Sequence, residues 1–153
     1  MIKDRDELLR REEAAWAEFV AEVGRVPEHR RGEEGVVSGW SVTDLVFHNG
    51  RWAGVAAEKL TIIKDGISPG EGDPDEVWQG KNQQWAAESK SMTYQEAMAR
   101  ALEDRKSARA ALEALSEVTD EAASWFIEET YDHYQEHTEE VSRFADSFGV
   151  PEK

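Results

Sequence analysis

The run Phe126-Ile-Glu-Glu-Thr-Tyr-Asp-His133-Tyr-Gln-Glu-His137-Thr-Glu-Glu-Val141-Ser-Arg-Phe144 constrains this chain more than any other stretch. It contains neither Gly nor Pro for about five helical turns, so its spacing predicts one continuous helix. Phe126, Thr130, His133, His137, Val141, Phe144 and Phe148 recur at steps of three and four, which places them on one face. That face is apolar at both ends and carries two imidazoles in the middle. Glu128, Glu129, Asp132, Glu136, Glu139 and Glu140 fall elsewhere and are expected to meet water. Residues four apart stack about 6 Å along a helix axis, so His133 and His137 can reach one metal ion. The pair also admits a plainer reading, as two partly buried histidines hydrogen-bonded to their neighbours.

A third histidine bears on that choice. The chain holds four in all. His48 falls on the apolar stripe of another helix, while His29 sits between Glu28 and Arg30 in a polar connection and reads as a solvated residue without function. Histidine is not a preferred core residue, and three in one small core need hydrogen bonds or a metal to offset their desolvation. Three imidazoles with no fourth protein ligand leave a coordination position open, the pattern of a reactive site and not of a structural one.

The other helices follow from caps and stripes. Asp4 caps a first helix, with Glu7 completing a capping-box pattern, and its stripe of Leu8, Leu9, Trp16, Phe19, Val20 and Val23 ends at Gly24. Residues 25–39 are a polar connection. A second helix opens at Ser41 with Asp44 in the reciprocal position and runs to about Asp65, stopped by Gly66. Its inward stripe is Leu45, His48, Trp52, Val55 and Ile62, interrupted by Lys59. Residues 66–91 carry Pro69, Gly70, Gly72, Pro74 and Gly80 and read as a long irregular crossover with short helical turns at 75–78 and 82–88, docked through Trp78 and Trp85. Thr93 and Glu96 cap a third helix whose seam is Tyr94, Met98, Ala101, Arg105, Ala108, Leu112 and Leu115. Residues 116–120 link it to the last helix. The expected fold is all-α: a single domain over residues 1–153 forming a four-helix bundle with long crossover connections.

Two further residues carry alternatives. Arg105 either packs its stem and pairs its head with a carboxylate, or faces an internal cavity ready for an anion. Thr130, one turn before His133, is either a small core-edge residue or a contact for a substrate.

Charge and composition narrow the partners. The formal net charge is −15, which repels phosphate backbones and anionic surfaces, so neither nucleic acid nor membrane is expected. No apolar run approaches the length of a membrane span, and the opening Lys3-Asp4-Arg5-Asp6 is no signal peptide, so the protein is expected to be cytoplasmic. Cysteine is absent. Any thiol chemistry therefore uses a thiol from outside.

The segment Gly39-Trp40-Ser41-Val42-Thr43-Asp44-Leu45-Val46-Phe47-His48 resembles the G-W-[ST]-x-x-[DE]-x-x-x-H opening of the second helix in the DinB/YfiT-like superfamily, and Tyr131-Asp-His133-Tyr-Gln-Glu-His137 resembles that superfamily's paired histidines. The resemblance implies an up-down-down-up bundle and a site of His48, His133 and His137 for a divalent metal, zinc or nickel. Trp52-Ala-Gly-Val-Ala-Ala-Glu-Lys59 is most similar to the N-terminal domain of mycothiol-dependent maleylpyruvate isomerases. That branch implies a low-molecular-weight thiol as cosubstrate. The sequence stops at Pro151-Glu152-Lys153, just after the last helix, so the extra C-terminal domain of the full isomerases is not covered and isomerisation itself is not carried over.

The expectation is a metal-dependent enzyme of thiol-transferase type acting on a small electrophile, with Arg105, Lys59 and Thr130 as candidate contacts for substrate or thiol. A metal-dependent hydrolase and a non-catalytic binder of small molecules or metal use the same residues and stay open. A homodimer is the expected assembly.

Overall fold

The computed structural model describes residues 1–148; Pro151-Glu152-Lys153 lies outside them. Among the described residues there are six α-helices and no strand: α1 (Arg5–Arg25), α2 (Val42–Lys64), α3 (Asp75–Ser89), α4 (Tyr94–Glu113), α5 (Asp120–Glu129) and α6 (Tyr131–Asp146). A 3-10 turn at Glu28–Arg30 and a β-bridge between Val37 and Trp40 order the connection before α2. No helix among the described residues is long and apolar enough to cross a membrane.

The caps fall where the sequence puts them. Asp4 accepts from the Glu7 amide at 2.9 Å, and Thr93 from the Glu96 amide at 3.1 Å. Glu7 does not complete its capping box, because its carboxylate pairs with Arg10 and Arg11. At α2 the box is complete. Ser41 Oγ accepts from the Asp44 amide at 3.1 Å, and Asp44 Oδ2 accepts from the Ser41 amide at 2.8 Å. Asp44 also accepts from Ser89 Oγ at 2.6 Å and pairs with Lys90 Nζ at 2.7 Å. One buried carboxylate thus starts α2 and pins the end of α3 to that start, one turn ahead of His48.

Packing joins α2 chiefly to α4 and α1 chiefly to α6, with α5 also against α2. Leu8, Phe19 and Val23 of α1, Leu45, Phe47 and Leu60 of α2, Leu112 of α4, Phe126 of α5 and Tyr134 of α6 are fully buried. The α4 seam is as expected, and its small residues let α2 come close. A Cβ on Gly50 would lie 2.5 Å from the Ala101 Cα, so only a glycine fits there.

Two elements depart from the expectation. Residues 75–89 form one helix instead of two short turns. Pro74 supplies the fixed φ before its first turn, Gly80 is tolerated inside it, and Trp52 Nε1 ties it to α2 by donating to Asn82 Oδ1 at 2.8 Å. The last helix is not continuous. It breaks at Thr130, whose φ of −114° and ψ of −97° are not helical. The Phe126 carbonyl accepts from both the Thr130 amide at 3.0 Å and Thr130 Oγ1 at 2.6 Å. A threonine hydroxyl bonded back to the carbonyl four residues earlier bends helices. The Tyr134 amide still donates to the Thr130 carbonyl at 2.9 Å, so the ladder resumes at once in α6.

Candidate metal centre

His48 comes from α2, and His133 and His137 from adjacent turns of α6. Their ring centroids form a nearly equilateral triangle: 4.8 Å between His48 and His133, 4.8 Å between His48 and His137, and 4.9 Å between His133 and His137. One ligand nitrogen from each lies within 4.8 Å of the others. His48 Nε2 and His133 Nε2 are 2.7 Å apart. Burial holds the His48 imidazole well below its ordinary pKa, and the neighbouring His133 and His137 add to this. Burial, with His137 nearby, likewise pushes His133 down to about 3. Both rings are therefore neutral at physiological pH, with lone pairs to offer.

The donor set fits a transition ion. Two imidazole nitrogens about 2.1 Å from one tetrahedral ion stand roughly 3.4 Å apart, so a small parting of the two rings admits it. Neutral imidazoles select zinc, nickel, iron or copper over magnesium and calcium. Glu140 Oε1 meets His137 Nδ1 at 2.5 Å, the carboxylate–histidine arrangement that fixes a ligating ring and leaves Nε2 for the ion. His48 Nδ1 is buried without a hydrogen-bond partner; its ring is held instead by the Trp40 indole, edge to face at 4.8 Å.

The three imidazoles border a cavity of about 610 Å³. Its walls include Trp40, Trp52, Trp78 and Trp125, with Val37 and Ser38 from the loop before α2. Ser38 holds a φ of 51° as a central residue of the tight turn closed by the Val37–Trp40 bridge.

The remaining candidates separate cleanly. Lys59 lines the cavity, with Nζ 5.3 Å over the Trp125 ring. Thr130 is fully buried at the helix break and is not among the lining residues; its hydroxyl is spent on the Phe126 carbonyl, so it acts on the site only by setting where α6 begins. Arg105 does not line the cavity either. It donates to Glu12 through Nε at 2.6 Å and Nη2 at 2.7 Å, and to Glu13 at 3.2 Å. Glu12 is fully buried and also takes Arg109 at 2.8 Å and the Tyr134 hydroxyl at 3.0 Å. Arg105 is thus the carboxylate-paired core arginine, because an internal carboxylate already takes its Nε and Nη2. His29 is exposed on the 3-10 turn, as expected.

Periodicity alone missed the acids. Glu129, Glu136 and Glu140 line the cavity instead of facing away from the site. The signal was present in the spacing: Glu140 lies three residues after His137, and Glu129 lies four after Trp125 and four before His133. Tyr134, placed off the stripe, is fully buried because Glu12 draws its hydroxyl inward.

No protein-family model matches the chain, and no curated protein does. Among solved structures it is similar to an uncharacterised protein from Escherichia coli UTI89, with a TM-score of 0.79 over 99% of this chain and 98% of that one. The identity is 12%, so the likeness is one of fold. Among the described residues the protein is helical without a strand, and its three clustered histidines could hold a metal ion.

Proposed function

We propose that this protein is a metal-dependent enzyme of thiol-transferase type, built on the up-down-down-up four-helix bundle of the DinB/YfiT-like superfamily. The single observation that carries the reading is the convergence of three imidazoles, two of them held neutral, on the wall of a cavity large enough for a small molecule. The order of the four long helical elements and the two-way coverage of the solved structure support the fold part of the proposal.

A divalent ion in this site, zinc or nickel, supplies Lewis acidity and lowers the pKa of a coordinated thiol or water. His48, His133 and His137 would hold it, and Glu140 orients His137 for that task. The tryptophan walls lower the local polarity beside the imidazoles, which strengthens charge interactions there. The chain has no cysteine, so the sulfur nucleophile is an external low-molecular-weight thiol, of which mycothiol is the type the resemblance implies. With Arg105 committed to Glu12, Lys59 is the cation positioned to meet a carboxylate carried by that thiol or by its electrophilic partner.

Protein purified without a polyhistidine tag and loaded with zinc or nickel is assayed with mycothiol, bacillithiol and glutathione against simple electrophiles. At least one thiol is expected to react faster than with chelator-stripped protein. Metal retained with no thiol-dependent rate overturns the transferase reading; metal-dependent hydrolysis in that sample moves it to a hydrolase, and tight ligand retention without turnover to a binder.

A further inference from the structure

Beyond the three imidazoles the cavity has a chemistry of its own. Four indoles line it, from Trp40, Trp52, Trp78 and Trp125, and its acidic lining residues outnumber Lys59, the one base among them. Two of the acids are already satisfied: Asp73 pairs with Lys81 at 2.8 Å, and Glu140 meets His137. Glu129 is not. Its Oε2 is buried and has no hydrogen-bond partner among the described residues. Burial, with Glu128 and then Asp73 adding to it against Lys81 and Lys59, pushes this carboxyl up to about 7. Trp125 precedes Glu129 by one turn of α5, so indole and carboxylate share a face.

We propose that the part of the cavity formed by Glu129 and the tryptophans is a subsite for an organic ammonium group on the ligand, with Glu129 as its counter-ion and the indole faces as its walls. An anion there would set a second negative charge beside Glu129 in a desolvated space. A purely apolar ligand would leave Oε2 unpaired, at a cost of about 1–3 kcal/mol. A hydroxyl would satisfy the hydrogen bond but not the charge. An ammonium that carries an N–H satisfies both, and a quaternary one satisfies the charge; each gains from the ring quadrupoles, as quaternary nitrogens do in aromatic cages. Lys59 shows that such a group is accommodated here, since its own ammonium lies 5.3 Å over Trp125 while Glu129 Oε2 stays unbonded. Lys59 is thus an internal competitor for the subsite in the empty cavity, and a ligand carboxylate that pairs with Lys59 removes that competition. The subsite belongs to the cavity walls and holds whichever nucleophile the three histidines activate.

The test uses chelator-stripped protein, tryptophan fluorescence, and two probes: choline, and neohexyl alcohol as its uncharged carbon isostere. Choline is expected to bind more tightly by about tenfold or more, which is about 1.4 kcal/mol. Glu129→Gln should bring choline down to the level of the alcohol and leave the alcohol unchanged; Glu129→Met should do the same if the glutamine variant folds poorly. Glu128→Gln makes the same change in net charge at an exposed neighbour; it should leave the alcohol unchanged and should not weaken choline, since it removes a charge that opposes ionisation of Glu129. Lys59→Met should tighten choline. The proposal is overturned if the two probes bind equally, if neither binds, if the Glu129 variants keep the preference, or if Glu128→Gln removes it equally, which would mean bulk attraction to an acidic protein. Metal content of wild type and variants is measured in parallel, so wild type that retains metal and shows no preference for choline sinks the subsite and not the metal centre.

Discussion

His48 on α2 and His133 on α6 meet Nε2 to Nε2 at 2.7 Å. Two neutral imidazoles at that distance share at most one proton, donated by one ring and accepted by the other. When His48 is the donor, its buried Nδ1 is left as an unsatisfied acceptor, an arrangement that costs about 1–3 kcal/mol. An ion between the rings replaces that proton and lets both nitrogens act as acceptors toward it. The contact joins two helices that otherwise have little packing between them, since α2 packs mainly on α4 and α6 mainly on α1.

The first prediction follows from that contact. Metal-loaded wild type should unfold at a higher temperature than stripped protein, and His48→Ala and His133→Ala should each lose both the ion and the difference. Their helical circular dichroism should survive, because the core around them is Leu, Phe, Val and Ala. Glu140→Gln should weaken the ion by roughly 10- to 100-fold, the usual effect of losing an outer partner, and the ligand variants by more. Elemental analysis together with thermal melts checks this. A His48→Ala protein that is unfolded where stripped wild type is folded would make the histidine a structural residue.

Arg105 gives the second prediction, and it concerns stability. Burial opposes its charge, and the bond to Glu12 overcomes this and holds the guanidinium above its ordinary pKa. Removing one partner of a buried pair leaves the other charge uncompensated, at a cost of about 3–5 kcal/mol. Arg105→Met should therefore melt well below wild type, and Glu12→Gln should do likewise, because Arg105, Arg109 and the Tyr134 hydroxyl then share one uncharged acceptor oxygen in place of two charged ones. Metal stoichiometry of the folded fraction should stay unchanged. Denaturant titration decides; a variant as stable as wild type that binds an anionic thiol more weakly would restore Arg105 to the ligand site.

These two predictions mark what was legible in the sequence. His48, His133 and His137 could be found because each interrupts a long apolar stripe, and helix periodicity fixes which residues share a face. The caps at Asp4, Ser41 and Thr93 were legible for a local reason, since a cap and its amide partner lie three residues apart. Arg105 was ambiguous because its partner, Glu12, is remote in sequence; only packing of α1 against α4 selects the paired reading. The break at Thr130 was hidden because threonine is tolerated in a helix, and whether its hydroxyl turns back to the Phe126 carbonyl depends on burial. The acids of the last helices were misplaced for a related reason. A cavity wall needs polar residues beside the apolar stripe, so Glu129 and Glu140 border the stripe and still face inward.

Asp44 gives a prediction in pH. Burial works to raise its pKa, but hydrogen bonds from Lys90, Ser89 and the Ser41 amide outweigh it and hold the carboxyl below its ordinary 3.8. A carboxylate whose folded pKa is depressed contributes stability that is complete above the unfolded value and is lost as pH falls through the folded one. Asp44→Asn should thus be less stable than wild type near neutral pH by about 1–2 kcal/mol, the range for a helix cap. The gap should close as pH drops below about 4, where the unfolded carboxyl protonates. Urea titrations across that range measure it. A gap that stays constant into acid would mean that the hydrogen-bond geometry, and not the charge, carries the cap.

The closest approach between α2 and α4 supplies the last prediction. Gly50 follows His48 by two residues, and a Cβ there would stand 2.5 Å from the Ala101 Cα and 2.8 Å from its Cβ. Replacing a mid-helix glycine by alanine ordinarily stabilises a helix by about 1 kcal/mol. Overpacking a close-packed contact costs about 1–3 kcal/mol, and here the obstructing atom is backbone, which cannot rotate away. Gly50→Ala should therefore be destabilising despite the better helix former. It should also weaken metal binding, because pushing α2 off α4 moves His48 relative to α6. Gly54→Ala is the control. Its Cβ would meet Asp104 Oδ1 at 3.1 Å, the end of a side chain, so it should cost less and leave the metal in place. Ala101→Gly should rescue Gly50→Ala only in part, since it removes the Cβ contact and leaves the Cα in the way. Thermal melts and metal titration of the two single variants and the double variant read out the sequence of effects; a Gly50→Ala protein as stable as wild type would mean that the two helices part at that point without loss.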